Sequence, residues 1–526
     1  MSKAAWIAVA SLLALSAPAR AQQGPFEGPG ALTGESAIDA LVLRRLEQLK
    51  IPPAGICSDG VFVRRVYLDV IGTLPTAKEA REFLQDTSAN KRAVLIDRLL
   101  ERDEFADYWA MKWSNLLRVK AEFPIDLWPN AAQAYYRWIH TSIKTNKPYD
   151  QFARELLTAG GSNFYAPEAN FYRAVQGRGP DVLAQAVALT FLGQRAGAWP
   201  KDRLAGLAGF FAQVAYKSTA QWKEEIVYWD PSIDVAKATS RPAGAGATFP
   251  DGTPAVIPPG RDPRAVLADW LISPKNPWFA RVMANRVWSW LLGRGIVHES
   301  DDFRADNPPA NPELLALLER EFVASRYDVK CLFRLVLNSK TYQLSPLPRR
   351  RGPEAAANFA FYPLRPLEAE VLIDALDQIT GTTEKYTSAI PEPFTFIPES
   401  VRAVALPDGS ITSTFLELFG RPPRDSGLES ERPARVTAAQ RLHLLNSSHV
   451  QKKIERCWRT MPLGQLRTNT PQALGEIYLT ILSRYPTAEE LKALGPYIQQ
   501  ASRKPPEAAQ DIIWSLINSD EFLYRH

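Results

Sequence analysis

Apolar positions recur at helical spacing through most of this chain, and capping residues mark where the runs begin. In SAIDALVLRRLEQLK, Ser36 stands as an N-cap with Asp39 three residues on, and Ile38, Leu41, Val42, Leu46 and Leu49 fall on one stripe. A second run from about Asp59 puts Phe62, Val66 and Val70 on one face and stops at Gly72. In LPTAKEAREFL, Thr76 is an N-cap, Glu79 completes a capping box, and Phe83 and Leu84 turn inward. The pattern predicts a mainly α, multi-helical protein.

The periodicity lapses twice. From Tyr228 to Pro263 the chain is rich in Pro, Gly and Thr, with short β-prone pieces and no helix signal, which reads as a boundary. The expected division is a first domain over residues 36–227, an irregular, β-containing linker over 228–263 and a second domain over 264–526. The second lapse, Pro391 to Arg435, must be held by its few apolar residues or remain mobile. A weak repeat also emerges. YLDVIGTLPTAKE from Tyr67 aligns without gaps with YLTILSRYPTAEE from Tyr478, and LLERDEF ending at Phe105 is echoed by LINSDEF ending at Phe522. A third, looser copy runs from Trp288 to Tyr342.

The start of the chain departs from both patterns. Lys3, an apolar run over residues 4–15 and the A-x-A triplet Ala19-Arg20-Ala21 read as a signal peptide over residues 1–21, cut after Ala21. No later run reaches transmembrane length, so the expectation is an exported protein, periplasmic or extracellular. The net charge of +5 falls to +3 when Lys3 and Arg20 leave with the leader, and the tight basic run Arg349 to Arg351 lies beside prolines. Nucleic-acid binding, which needs a broader basic face, is not expected. Three cysteines, Cys57, Cys331 and Cys457, allow at most one disulfide, and Cys331 is expected as a buried small hydrophobe.

Candidate chemistry is sparse. HESDDFRAD gathers His298, Glu299, Asp301, Asp302 and Asp306. Oxygen-rich loops suit Ca²⁺ and paired carboxylates suit acid–base work, but this loop lacks EF-hand spacing and its Gly. Salt bridging with Arg304 and Arg286 is the leading reading; a metal held by His298, Asp301, Asp302 and Asp306, or catalysis, are the alternatives. His443 and His449, six apart, fall about 240° around an ideal helix and should not share a face. No G-x-S-x-G or phosphate-loop context occurs. Fourteen tryptophans raise the idea of sugar stacking, yet Trp109/Trp113 and Trp288/Trp290 sit at core spacings, so carbohydrate binding is a minor alternative.

Two blocks resemble a known pair. AIDALVLRRLEQLKI, FVRRVYLDVIGTLPTAKEAREFL and LIDRLLERDEFADYWAMKWSNLLR resemble the planctomycete-type, cytochrome-associated domain of unknown function 1549. NPWFARVMANRVWSWLLGRGIVHESDDFRADNPPANPELLALLEREFVASRYDVKCLFRLVLNSKTYQLS and the closing LINSDEFLYRH resemble its usual partner, domain of unknown function 1553. The resemblance implies no established activity. It also implies a C-x-x-C-H haem-attachment motif between a helix ending in Phe-Leu-Gly and one ending in Phe-Phe. Here Phe191-Leu192-Gly193 and Phe210-Phe211 are present, but Gln194 to Asp202 hold neither Cys nor His, so no c-type haem is expected. Trp199 and Pro200 are expected to fill the space between the two helices. The functional expectation is a non-haem scaffold or binding protein with a protein partner in the cell envelope, the alternatives being a hydrolase around Asp301 and a carbohydrate-binding protein.

Overall fold

The computed structural model describes residues 24–239, 246–433, 435–457, 461, 469–500 and 505–526; the expected leader lies outside them. The caps form as the sequence chemistry dictates. Ser36 Oγ accepts the Asp39 N–H ahead of the helix Ala37–Gln48, and Thr76 and Glu79 close both halves of a capping box ahead of Ala77–Gln85. Helices dominate. The three-stranded antiparallel sheet places Glu225–Trp229 between Gly161–Ser162 and Val214–Ser218, and Arg365–Pro366 pairs with Tyr524–Arg525. No helix among the described residues is long and apolar enough to cross a membrane.

The helix Asp59–Val70 departs from its expected one-sided pattern, because every residue from Gly60 to Val70 is buried. Its polar positions survive there by hydrogen bonding, since a buried charge without partners is strongly destabilising. Arg64 donates to the carbonyls of Ile481 and Phe522, and Arg65 to those of Tyr342, Leu344 and His526. Asp69 accepts from the hydroxyls of Tyr342 and Tyr362 and pairs with Arg365 and Arg525, each at 3.1 Å.

These contacts join distant parts of the sequence, and the apolar packing does the same. Trp109 lies 5.0 Å from Trp290 and 4.5 Å from Phe333, and Tyr149 stacks on Phe279 at 4.6 Å. The segments 36–227 and 264–526 therefore share one continuous core. Between them, Val235–Thr239 is a short helix where the sequence offered no helix signal. The 391–435 stretch is tied down by buried Val404, Leu406, Ile411, Phe415 and Leu416, and by the Asp408 carboxylate, which accepts the Ala121 N–H. None of the three cysteines is in a disulfide, and Cys331, expected in the core, is half-buried at the surface of the helix Val329–Leu337.

Candidate functional site

The helix Pro180–Leu192 ends at Gly193, whose φ of +59° is the left-handed cap that favours glycine. A side chain there would also collide: an added Cβ would meet Phe303 Cδ2 at 3.0 Å and the Ser300 carbonyl at 3.1 Å. The Gly193 carbonyl accepts the Phe303 N–H at 2.9 Å. Thus the break after Phe-Leu-Gly and the acidic loop, which are more than a hundred residues apart in sequence, are joined. Arg286 strengthens the junction by donating to the carbonyls of Leu189 and Thr190 while holding Asp301 at 3.0 Å.

That junction decides what the acidic residues do. Asp301 points inward, where its second oxygen accepts the Glu429 N–H at 2.9 Å. Asp302 meets Arg304 at 2.8 Å, Asp306 meets the same guanidinium at 3.5 Å, and His298 lies outward, 4.0 Å from Glu299. Partial burial and nearby Arg294 lower the His298 pKa. Asp301 is thus engaged by Arg286, Asp302 and Asp306 share Arg304, and His298 lies apart, and among the described residues no group of three or more His, Cys, Asp or Glu is placed to hold a metal. Burial and the proximity of Asp301 raise the pKa of Glu429, whose side chain accepts the Trp290 indole N–H at 2.8 Å.

Beyond Gly193 the chain forms a short 3₁₀ turn at Ala196–Ala198, and a new helix starts at Lys201. Trp199 is partly buried and packs against the core. It carries the Arg203 guanidinium 3.8 Å from its ring and walls an open cleft of about 470 Å³. Gln194, Trp199 and Arg203 line that cleft together with Trp278 and Arg281 and with Phe303, Arg304 and Asn307 of the acidic-loop segment. A second cleft of about 450 Å³ lies against the same turn, lined by Arg118, Gln185, Arg195 and Leu428 among others. Among the described residues no cysteine or histidine lines either cleft.

The histidine pair corrects a premise of the sequence reading. The helix breaks at Ser447, which caps a second helix Ser448–Ile454, so His443 and His449 are not on one ideal helix. Their rings meet, Nε2 of His443 lying 3.4 Å from Nδ1 of His449, and Nε2 of His449 lies 2.9 Å from Glu384. Lys453 also pairs with Glu384, at 3.1 Å. The arrangement is a packed chain of polar groups under Phe415, 5.8 Å from each ring.

A surface feature went unread in the sequence. Trp109, Trp113, Trp288 and Trp290 are buried as their spacing predicts, but Trp222 is 71% exposed, with Phe123 at 84% and Phe396 at 68%. Three loops bring this surface together. Trp128 packs against Phe394 at 5.3 Å, Lys223 covers Trp128 and pairs with Asp126 at 3.3 Å, and Glu122 accepts the Ala389 N–H.

Residues 37–196 match the family PSCyt2, described as a protein of unknown function (DUF1549), and residues 263–498 match PSD1, a protein of unknown function (DUF1553). The first match ends at Ala196, inside the turn after Gly193. No curated protein and no solved structure matches the chain.

Proposed function

We propose that this chain, which belongs to the DUF1549 and DUF1553 families through two successive segments, acts as an exported, non-haem scaffold or binding protein in an extracytoplasmic complex. The observation that carries the reading is the loop-borne aromatic surface around Trp222, Phe123 and Phe396. Large exposed apolar side chains gathered on loops and held by a rigid scaffold are a common basis for protein recognition. The leader pattern of residues 1–21 supports export. A hydrolase built on Asp301 is disfavoured because both oxygens of that carboxylate are engaged, by Arg286 and by the Glu429 N–H.

Cross-linking in the native envelope followed by purification tests this. The mature protein should begin at Gln22 and carry a reproducible partner, and Trp222→Ala with Phe396→Ala should abolish the cross-link while leaving the helical circular dichroism intact. An uncleaved Met1, or a chain recovered alone in both forms, would sink the proposal. Expression in a host with active cytochrome c maturation should give a colourless protein of unmodified mass.

A further inference from the structure

The cleft at the junction of the Gly193 turn and the acidic loop has walls of three kinds. Trp199, Trp278 and Phe303 offer aromatic surface, Arg203, Arg281 and Arg304 offer guanidinium groups, and two amides complete the lining: Asn307, whose Nδ2 donates to the His298 and Asp302 carbonyls and which keeps Oδ1 as acceptor, and Gln194, whose Oε1 accepts from Arg203. Each kind suits a different part of one ligand. The C–H face of a pyranose ring packs on aromatic rings, its hydroxyls pair with amides, and an anionic substituent accepts from guanidinium N–H groups in a geometry that favours paired hydrogen bonds.

The charges in the cleft are unequally compensated. Arg281 is paired with Glu319 at 2.8 Å, and Arg304 with Asp302 and Asp306. Arg203 has no carboxylate within salt-bridge distance among the described residues. Its Nε donates to the Pro250 carbonyl at 3.0 Å and its Nη2 to Gln194 Oε1 at 3.3 Å. It is half-buried against the Trp199 ring, and that burial lowers its pKa, so an anion placed there would relieve an uncompensated charge. Gln194, itself 5% exposed, fixes the guanidinium from behind.

The position of Trp199 agrees with this chemistry: it packs partly on the core, lines the cleft and carries the Arg203 guanidinium over its ring. The volume, about 470 Å³, falls in the range of small-molecule sites. An open, amide-bearing cleft favours a hydroxyl-rich ring over a purely aromatic acid, which would leave Gln194 and Asn307 with little to recognise.

We infer that the cleft between Trp199, Trp278 and Phe303 binds an anionic carbohydrate, a sugar unit whose carboxylate or sulfate sits on Arg203. This site is separate from the exposed aromatic surface around Trp222, and it stands or falls independently of the proposed partner.

Isothermal titration calorimetry on the mature protein with three probes tests it: a tri-galacturonate, a sulfated oligosaccharide of similar length and neutral cellotriose. The expected result is binding of one or both acidic probes, with cellotriose at least tenfold weaker. Arg203→Gln should weaken acidic-probe binding at least tenfold, and Arg203→Lys should restore part of it. A preference for the galacturonate identifies the anion as a carboxylate, and the opposite preference identifies it as a sulfate ester. Because Arg203 also supports the turn, Arg304→Gln, at an exposed position, provides a second variant and should weaken binding several-fold. No binding of either acidic probe, equal binding of cellotriose, or affinity unchanged in folded Arg203→Gln and Arg304→Gln proteins would overturn the inference.

Discussion

Gly72 and Ser483 occupy equivalent positions in the two copies of the repeat and share a left-handed backbone, with φ of +61° and +59°. The likeness extends to the caps that follow. Thr76 and Glu79 form a capping box, and Thr487 and Glu490 exchange the same pair of hydrogen bonds. At Gly72 a Cβ would approach Tyr108 Cδ2 to 2.5 Å, so only glycine fits. Ser483 tolerates its side chain, but its backbone is strained and its buried hydroxyl has no hydrogen-bond partner.

Ser483→Gly should therefore stabilise the protein, by about 0.5–1 kcal/mol after the added freedom of the unfolded chain is subtracted. Gly72→Ala should destabilise it by more than that. Urea denaturation of the pair checks both signs, and a Ser483→Gly protein less stable than the parent would refute the strain argument.

Asp69 holds together residues from three other stretches, accepting from Tyr342 and Tyr362 and pairing with Arg365 and Arg525. Removing its carboxylate would leave two buried guanidinium groups and two tyrosine hydroxyls without their common acceptor. Asp69→Ala is expected to lose about 3–5 kcal/mol, the range for breaking a buried ion pair from one side. Thermal unfolding should show the loss as one cooperative transition, because the two family segments share their core.

Local chemistry made the helices and caps legible. Ser36 and Thr76 cap where the sequence places them because a cap is decided within four residues. The full burial of residues 60–70 was not legible, because the partners that satisfy Arg64, Arg65 and Asp69 arrive from residues 342–365, 481 and 522–526. The Gly193 turn and the acidic loop were both visible as features, yet their contact depends on the packing of the helix Phe279–Leu292 between them, which no local signal encodes. The histidine pair was misread for a local reason: Ser447, a good cap, ends one helix and begins another within a stretch that periodicity treats as continuous.

Glu370 should give the protein an acid-sensitive component of stability. Burial opposes its ionisation, but the paired N–H groups of Arg432, at 2.8 and 3.0 Å, with Arg421 nearby, hold its pKa below the ordinary 4.5. The unfolded chain then takes up the proton first as pH falls. The stabilisation is complete above about pH 5 and is lost as pH drops through 4.5 toward the folded value, with a slope of at most about 1.4 kcal/mol per pH unit. Glu370→Gln should be several kcal/mol less stable at pH 7. Measured by denaturant titration, its deficit should narrow steadily below pH 4.5; a constant deficit from pH 7 to 3 would contradict the depressed pKa.

Asp301 distinguishes a structural loop from a metal or catalytic one. Its carboxylate is almost fully buried and joins Arg286 to the backbone of Glu429, while Arg286 fastens the end of the helix Pro180–Leu192. Asp301→Asn removes the charge but keeps the shape, so it leaves the buried Arg286 guanidinium uncompensated. The expected loss is about 3 kcal/mol. Asp302→Asn, whose partner Arg304 is exposed, should lose no more than about 1 kcal/mol. If the loop instead held Ca²⁺, the ion would raise the melting temperature of the parent protein and not of Asp301→Asn, since a ligand that binds only the folded state stabilises it. The geometry predicts no such shift at millimolar Ca²⁺, because Asp301 is taken up by Arg286, Asp302 and Asp306 by Arg304, and His298 stands apart from all three. A calcium-dependent rise of several degrees that vanishes in Asp301→Asn would reverse the assignment and make the loop a metal site.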